Sequence, residues 1–253
     1  LGLAVITYDP MPVLQEFAKR RGITFPLLSD AGSATIERYG LLNTTVARDN
    51  ALFGYPFPGT FVLEPDGTVR ARFFEGAYEE RNTINSVMVR LGGKVDVPAT
   101  RVSAPHMTIT SYLTDQVAAP GTRFSVVLDI EPATSIHVYA PEVKDYRPII
   151  LRIAPQAGLL LKAAHYPPSE IYHFKPLDER VPVYQRPFRI VQDVTLDASR
   201  DAQAALKSKT SLTITGTLDY QACDDNVCFN PQSIPLSWTI AVRPLDRERV
   251  KQQ

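Results

Sequence analysis

The chemistry of this chain is concentrated in one short stretch, Tyr220–Phe229, where Cys223 and Cys228 flank Asp224-Asp225-Asn226-Val227. Asp and Asn favour turns because their side chains hydrogen-bond nearby backbone amides. A four-residue hairpin loop here would set the cysteines opposite each other. Facing residues of an antiparallel ladder have Cα atoms about 4.5–5.5 Å apart, within the reach of a disulfide. So short a loop confers little entropic stabilisation when it is closed. Two readings follow: a plain structural bridge, or a bridge kept for redox exchange. The adjacent carboxylates of Asp224 and Asp225 disfavour a thiolate, which argues against an attacking cysteine and suits a disulfide attacked by another protein's thiolate.

Other chemistries find no support in the spacing. His106, His137, His165 and His173 lie on different predicted elements without metal-ligand spacing, so no metal is expected. Ser29-Asp30 and Ser169-Glu170 have no histidine placed as a base. No glycine-rich phosphate loop is present, and no cofactor is expected. The balance of 27 basic against 27 acidic residues removes the electrostatic footprint of a nucleic-acid binder. No apolar run reaches the roughly 18–20 residues of a membrane helix.

A chain of 253 residues is long enough for two domains, and its texture changes midway. Residues 1–91 alternate strand and helix. Leu3–Tyr8 reads as a buried strand already in progress, which suggests a fragment boundary at the amino terminus. Asp9-Pro10 opens a helix that Gly22 ends, and Ser33–Tyr39 forms a second one before Gly40. Thr60–Glu64 and Thr68–Phe74 flank the turn Pro65-Asp66-Gly67. Glu79–Leu91 is expected to close this α/β domain as a helix with Ile84, Val87, Met88 and Leu91 on its buried face. Residues 92–102, opening on Gly92-Gly93, read as a linker. Residues 103–245 then carry about seven short β-branched or aromatic strands, the pattern of an all-β sandwich. Within it, Ala198–Lys207 is helical, and 246–253 is a polar tail.

The second half resembles the amino-terminal domain of the DsbD family of thiol:disulfide interchange proteins. The resemblance rests on Leu218-Asp219-Tyr220-Gln221-Ala222-Cys223, Cys228-Phe229-Asn230-Pro231 and the strand Ile234–Trp238, with Ile136–Pro141 and Tyr166–Phe174 upstream. The cysteine spacing is one residue narrower than in the best-known members. Membership implies an immunoglobulin-like sandwich that exchanges disulfides through Cys223 and Cys228, in the periplasm or otherwise outside the cytoplasm. It also implies a thioredoxin-like protein or domain as partner, and a membrane electron-transfer protein as a further one. Tyr166–Phe174 falls where the family carries a cap, so Tyr166, Tyr172 and Phe174 are candidates for a lid, with His137 and Tyr139 as the floor beneath the sulfurs.

The first half is similar to the carboxy-terminal part of a thioredoxin-like redoxin of the AhpC/TSA, peroxiredoxin-like kind. Phe25–Asp30 and Tyr55–Gly67 carry the likeness, which implies that Pro58 is a cis-proline and that the strand–helix unit bearing the nucleophilic cysteine is missing. The combined expectation is an extracytoplasmic thiol-disulfide oxidoreductase. A peroxidase with its cysteine upstream of residue 1, or a scaffold with a structural disulfide, are the alternatives.

Overall fold

The computed structural model describes residues 2–50, 53–74, 80–174 and 178–244; Glu79 and the expected tail 246–253 lie outside the described residues. These residues form two compact units, 2–74 and 80–244.

The first unit runs β1 (Val5–Thr7), α1 (Met11–Arg21), β2 (Leu27–Ser29), α2 (Ala34–Arg38), β3 (Gly59–Leu63) and β4 (Val69–Phe74). β1 and β2 pair in parallel, and β3 and β4 form an antiparallel hairpin around the Pro65-Asp66-Gly67 turn. Gly22 ends α1 in the left-handed region, at φ 63°, which a residue without Cβ adopts at little cost. Asp30 accepts hydrogen bonds from the amides of Thr35 and Ile36, and the Ile36 bond leads the causes that hold its carboxyl below the usual range. Two expectations fail here. The first strand is shorter than Leu3–Tyr8 and is not buried: Ile6 is 50% exposed, and its ladder partner Leu28, on the same face, is 46% exposed. The bond before Pro58 is trans, as are all the described peptide bonds. The Tyr55–Phe57 stretch is held extended against Leu41–Asn43, which is compatible with the intrinsic preference of an X–Pro bond for trans.

The second unit is a β-sandwich. Its elements are β5 (Arg81–Asn82), α3 (Ile84–Arg90), β6 (Ala99–Ala104), β7 (Met107–Leu113), β8 (Val117–Ala118), β9 (Thr122–Pro132), β10 (His137–Tyr139) and β11 (Ile150–Ile153). There follow β12 (Leu159–His165), β13 (Glu170–Phe174), β14 (Glu179–Tyr184), β15 (Phe188–Leu196), α4 (Arg200–Leu206), β16 (Ser211–Tyr220), β17 (Ala222–Cys223) and β18 (Gln232–Val242). One sheet has the order β12-β15-β9-β7-β6, and another has β11-β16-β18-β8. Period-two alternation explains the core between them. Phe124, Val126, Leu128 and Ile130 of β9 meet Leu212, Ile214 and Leu218 of β16 and Leu236, Trp238 and Ile240 of β18. The indole N–H of Trp238 donates to Ser111 Oγ at 2.7 Å, which satisfies two buried polar groups across the core.

The other face of β9 decides where α3 goes. Val127 and Val191 point outward and are covered by Val89, 2% exposed, together with Tyr112, Val95 and Val97. Thr83 caps the helix by accepting from the Ser86 amide, and Arg90 pairs with Asp193 at 2.8 Å. β5 adds to the end of β9 in parallel. The stretch expected to finish the first domain therefore packs on the sandwich, and its buried face is Ser86, Val87 and Val89. Ile84 is 61% exposed. The expected linker lies with the same unit, since Val95 and Val97 pack on it and 99–104 is β6. No described helix is long and apolar enough to cross a membrane.

Trp238 is the single tryptophan and sits in the sandwich core, so its fluorescence follows this unit alone. Val89→Ala removes two buried methyl-sized groups and should lower the sandwich's stability by roughly 1–2.5 kcal/mol. The check is the urea midpoint read on Trp238; an unchanged midpoint would mean that α3 contributes nothing to this unit.

Candidate functional site

A third, small sheet, β13-β14-β10-β17, carries the cysteines. β10 is its pivot: Val138 pairs with Tyr184 on one side and Ala222 on the other, while His137 pairs with Cys223 and Tyr139 with Val183. Because side chains alternate, Val138, Ala222 and Tyr184 join the sandwich core. Cys223, Tyr139 and Val183 form a separate apolar cluster, with Tyr146, Tyr172, Val143 and Val181 packed against it. The site is built on the back of the core.

The approach to Cys223 is clamped. β16 and β18 pair without interruption from Ser211↔Ala241 to Tyr220↔Gln232, and residues 221–231 are the excursion between them. Tyr220 is buried at its root, with its hydroxyl donating to the Pro105 carbonyl at 2.7 Å. Gln221 donates to the Phe229 carbonyl at 3.0 Å, and the Phe229 amide donates to Ala222 at 2.9 Å. The Phe229 ring stacks on His106 at 3.8 Å. His106 itself takes φ 66° in the tight β6–β7 turn, a conformation in which His is among the better-tolerated residues.

Cys223 and Cys228 are joined by a disulfide, with Cα atoms 4.0 Å apart across an antiparallel bridge. The hairpin expectation holds, with the pair somewhat closer than an average ladder pair. The Asp224 carboxylate closes the loop by accepting from the amides of Asn226 at 2.7 Å and Val227 at 2.8 Å. Those two backbone bonds, Val227 first, hold its pKa below the usual value, so it remains ionised. The two sulfurs have unequal surroundings. Cys223 is 1% exposed; Cys228 is exposed.

Aromatic side chains line the buried side. The Tyr139 hydroxyl lies 3.5 Å from both sulfurs and can donate to either. Its ring stacks on Tyr146 at 4.4 Å, and burial raises its pKa, with Glu179 adding to the effect. Tyr146 bonds Glu179, which, ahead of burial, pushes its hydroxyl up to about 12. His137 is 3% exposed, between Tyr139 edge-on at 5.6 Å and Tyr172 at 4.5 Å. Burial depresses its pKa, and the charges of Asp225 and Asp224 oppose that only in part. The Tyr172 hydroxyl donates to Asp225 at 2.5 Å, a bond that pushes its pKa up to about 12.

Of the residues singled out in the sequence, His137, Tyr139 and Tyr172 meet at the cysteines. Tyr172 covers His137 and reaches the loop, and Cys228 stays open. Tyr166 goes elsewhere: it packs on the sandwich core, and its hydroxyl accepts from the Leu151 amide at 2.9 Å. Phe174 ends β13 opposite Glu179. Pro58 belongs to the other unit. Sequence reasoning missed Tyr146 and Val183, whose roles depend on β14 pairing with β10. Phe229, noted only as part of a motif, acts as the clamp.

Residues 110–235 match the family model of the amino-terminal part of the thiol:disulfide interchange protein DsbD, and residues 2–72 match the AhpC/TSA family. None of the curated proteins matches the chain in sequence. Among solved structures, the N-terminal periplasmic domain of ScsB from Proteus mirabilis is 12% identical, with a TM-score of 0.38 over 54% of this chain and 49% of that one. The chain thus spans about half the length of that structure. The reduced N-terminal domain of DsbD from Neisseria meningitidis is 15% identical, with a TM-score of 0.32 over 46% of this chain and 81% of that one. The complex of the neisserial DsbD and PilB N-terminal domains gives 15% and 0.32 over 45% and 73%.

His137 generates a pH prediction. Its folded pKa is depressed, so the unfolded chain binds the proton more readily and stability rises with pH. That stability is complete above the unfolded value near 6.5 and is lost as pH falls toward the folded pKa. The Trp238 urea midpoint should drop as pH falls below 6.5, and His137→Asn should flatten the drop. Equal slopes in the two proteins would rule out a buried neutral imidazole.

Proposed function

We propose that the second unit passes electrons by thiol:disulfide exchange through Cys223 and Cys228. The observation that carries the reading is the inequality of the two sulfurs within a domain that matches the DsbD amino-terminal family. A partner's thiolate attacks the Sγ of the exposed residue Cys228 in line with the Sγ–Sγ bond. That bond breaks, its electron pair passes to the enclosed Cys223 sulfur, and a mixed disulfide links the partner to Cys228. In the reverse direction, the Cys223 thiolate attacks Cys228 and expels the partner as its thiolate. Both directions use one exposed and one sheltered sulfur.

The exposed side of the bridge lies at a loop tip, beside Val227 and Asp225 and next to Tyr172. It suits a partner that presents a single protruding thiolate, as a thioredoxin-like protein or domain does. A membrane electron-transfer protein is the second partner of such a relay. The setting is extracytoplasmic, where disulfides persist. Both cysteines of the 253 residues lie in this unit, at 223 and 228.

The test compares single-cysteine variants. In Cys223→Ser, Cys228 should form a mixed disulfide with an aryl disulfide at least about tenfold faster than Cys223 does in Cys228→Ser, because exposure sets access. The wild-type couple should titrate above about −300 mV, the range of exchangeable bridges. Equal labelling rates, or a lower potential, would mean that the bridge is structural.

A further inference from the structure

Opening and closing the bridge requires a proton at Cys223, and that sulfur is 1% exposed, out of reach of bulk water. When Cys223 acts as the attacking group it must lose a proton first, because the thiolate is the nucleophile. The candidates to take that proton are few. The Tyr139 hydroxyl, 3.5 Å away, can donate to a sulfur but has no basic site of use at neutral pH. The Asp224 carboxylate is committed to the amides of Asn226 and Val227. Asp225 is turned toward the Tyr172 hydroxyl. His137 remains. It stands directly across the ladder from Cys223, on the same face, and directly opposed residues have Cβ atoms about 4.5–5.5 Å apart.

We propose that His137 is the group that takes the proton from Cys223 when that thiol attacks and returns it when the bridge is reopened. The proposal rests on the exchange reading above and assigns its proton step. In the attacking direction, the Cys223 S–H proton passes to the neutral imidazole. The Cys223–Cys228 Sγ–Sγ bond forms as the bond between Cys228 and the partner sulfur breaks, and the partner leaves with the electron pair as a thiolate. The imidazolium then sheds its proton toward the exposed carboxylate of Asp225, the stronger of the two charges that favour the cation. Reopening runs the same transfers backward, with the imidazolium neutralising the Cys223 thiolate as it forms.

The groups that face His137 are consistent with this role. From its own strand comes Tyr139, from β13 comes Tyr172, and from β17 and the loop after it come Cys223, Asp224 and Asp225. Glu179 and Tyr146 act one residue further out, on Tyr139. Burial keeps the imidazole neutral and ready to accept, while the two aspartates support the cation once it forms. An uncharged polar residue at this position would leave Cys223 dependent on its own ionisation beside two carboxylates.

The experiment isolates the closing step. Reduced full-length protein is mixed with one equivalent of an aryl disulfide that releases nitrothiobenzoate. Cys228 displaces the first aryl thiolate; attack by Cys223 releases the second, which is followed in single turnover as a function of pH. The aryl thiolate needs no proton to leave, so the rate reports deprotonation of Cys223. In wild type the second release should stay fast at pH 7 and fall only below pH 6.5, the ordinary histidine value. In His137→Gln it should be slower at pH 7 by about a hundredfold, with the lower inflection replaced by a rise above about pH 8.5. A wild-type profile whose sole inflection is that of a thiol would overturn the proposal without any variant, as would an unaltered rate and profile in His137→Gln. Failure of the exchange reading has a different signature, a low potential of the couple, and leaves this intramolecular step measurable.

Discussion

The short ladder between β10 and β17 is the constraint on which the site depends. Two pairings, His137↔Cys223 and Val138↔Ala222, place one residue of each strand into the sandwich core and the next onto the opposite face. The burial of Val138 and Ala222, together with Tyr184, anchors the ribbon. Each fully buried aliphatic side chain is worth on the order of 1.5–3 kcal/mol, so the register cannot slip by one residue without exposing that set. The same register delivers Cys223 to His137 and Tyr139. Core packing and redox geometry are two faces of one ribbon.

The asymmetry of the sulfurs follows from how the loop is closed. Cys223 ends a paired strand and is enclosed by Tyr139, Val183 and their neighbours. Cys228 follows a turn that Asp224 organises through two backbone amides, and Phe229 is then drawn back by its bond to Ala222 and its stacking on His106. Between those two anchors the chain lifts Cys228 outward. Aspartate thus has two effects at this site: its side chain shapes the turn, and its charge disfavours free thiolate nearby. The bridge is thus flanked by negative charge, with Cys223 enclosed and Cys228 exposed.

The aromatic bed supplies shelter and polar contacts together. Tyr139, Tyr146 and Tyr172 bury ring area, while their hydroxyls face sulfur, Glu179 and Asp225 respectively. Tyrosine suits such a position because it combines a large apolar face with one polar handle. Phenylalanine would preserve the packing and lose the contacts.

Much of this was legible in the residues themselves. The β-branched and aromatic runs Phe188–Leu196 and Ser211–Tyr220 coincide with β15 and β16; β16 alternates because one face is buried, whereas β15 is buried on both. The turn residues between the cysteines specify a bridge, since Asp224 needs only local amides to form its turn. His137, Tyr139 and Tyr172 could be singled out around it. What the sequence could not decide is every question of which surface a residue meets at long range. The helix Ile84–Arg90 carries apolar residues on several sides, and only the bare Val127 and Val191 of the outer sheet face select Val89 as its buried contact. Tyr166 and Tyr172 are both tyrosines in one short segment, yet Tyr166 just follows β12 and meets the core, while Tyr172 lies within β13 and meets the cysteines. The trans bond before Pro58 and the exposure of Ile6 belong to the same class. Local sequence sets periodicity and turn chemistry; burial is a property of the neighbours that the fold supplies.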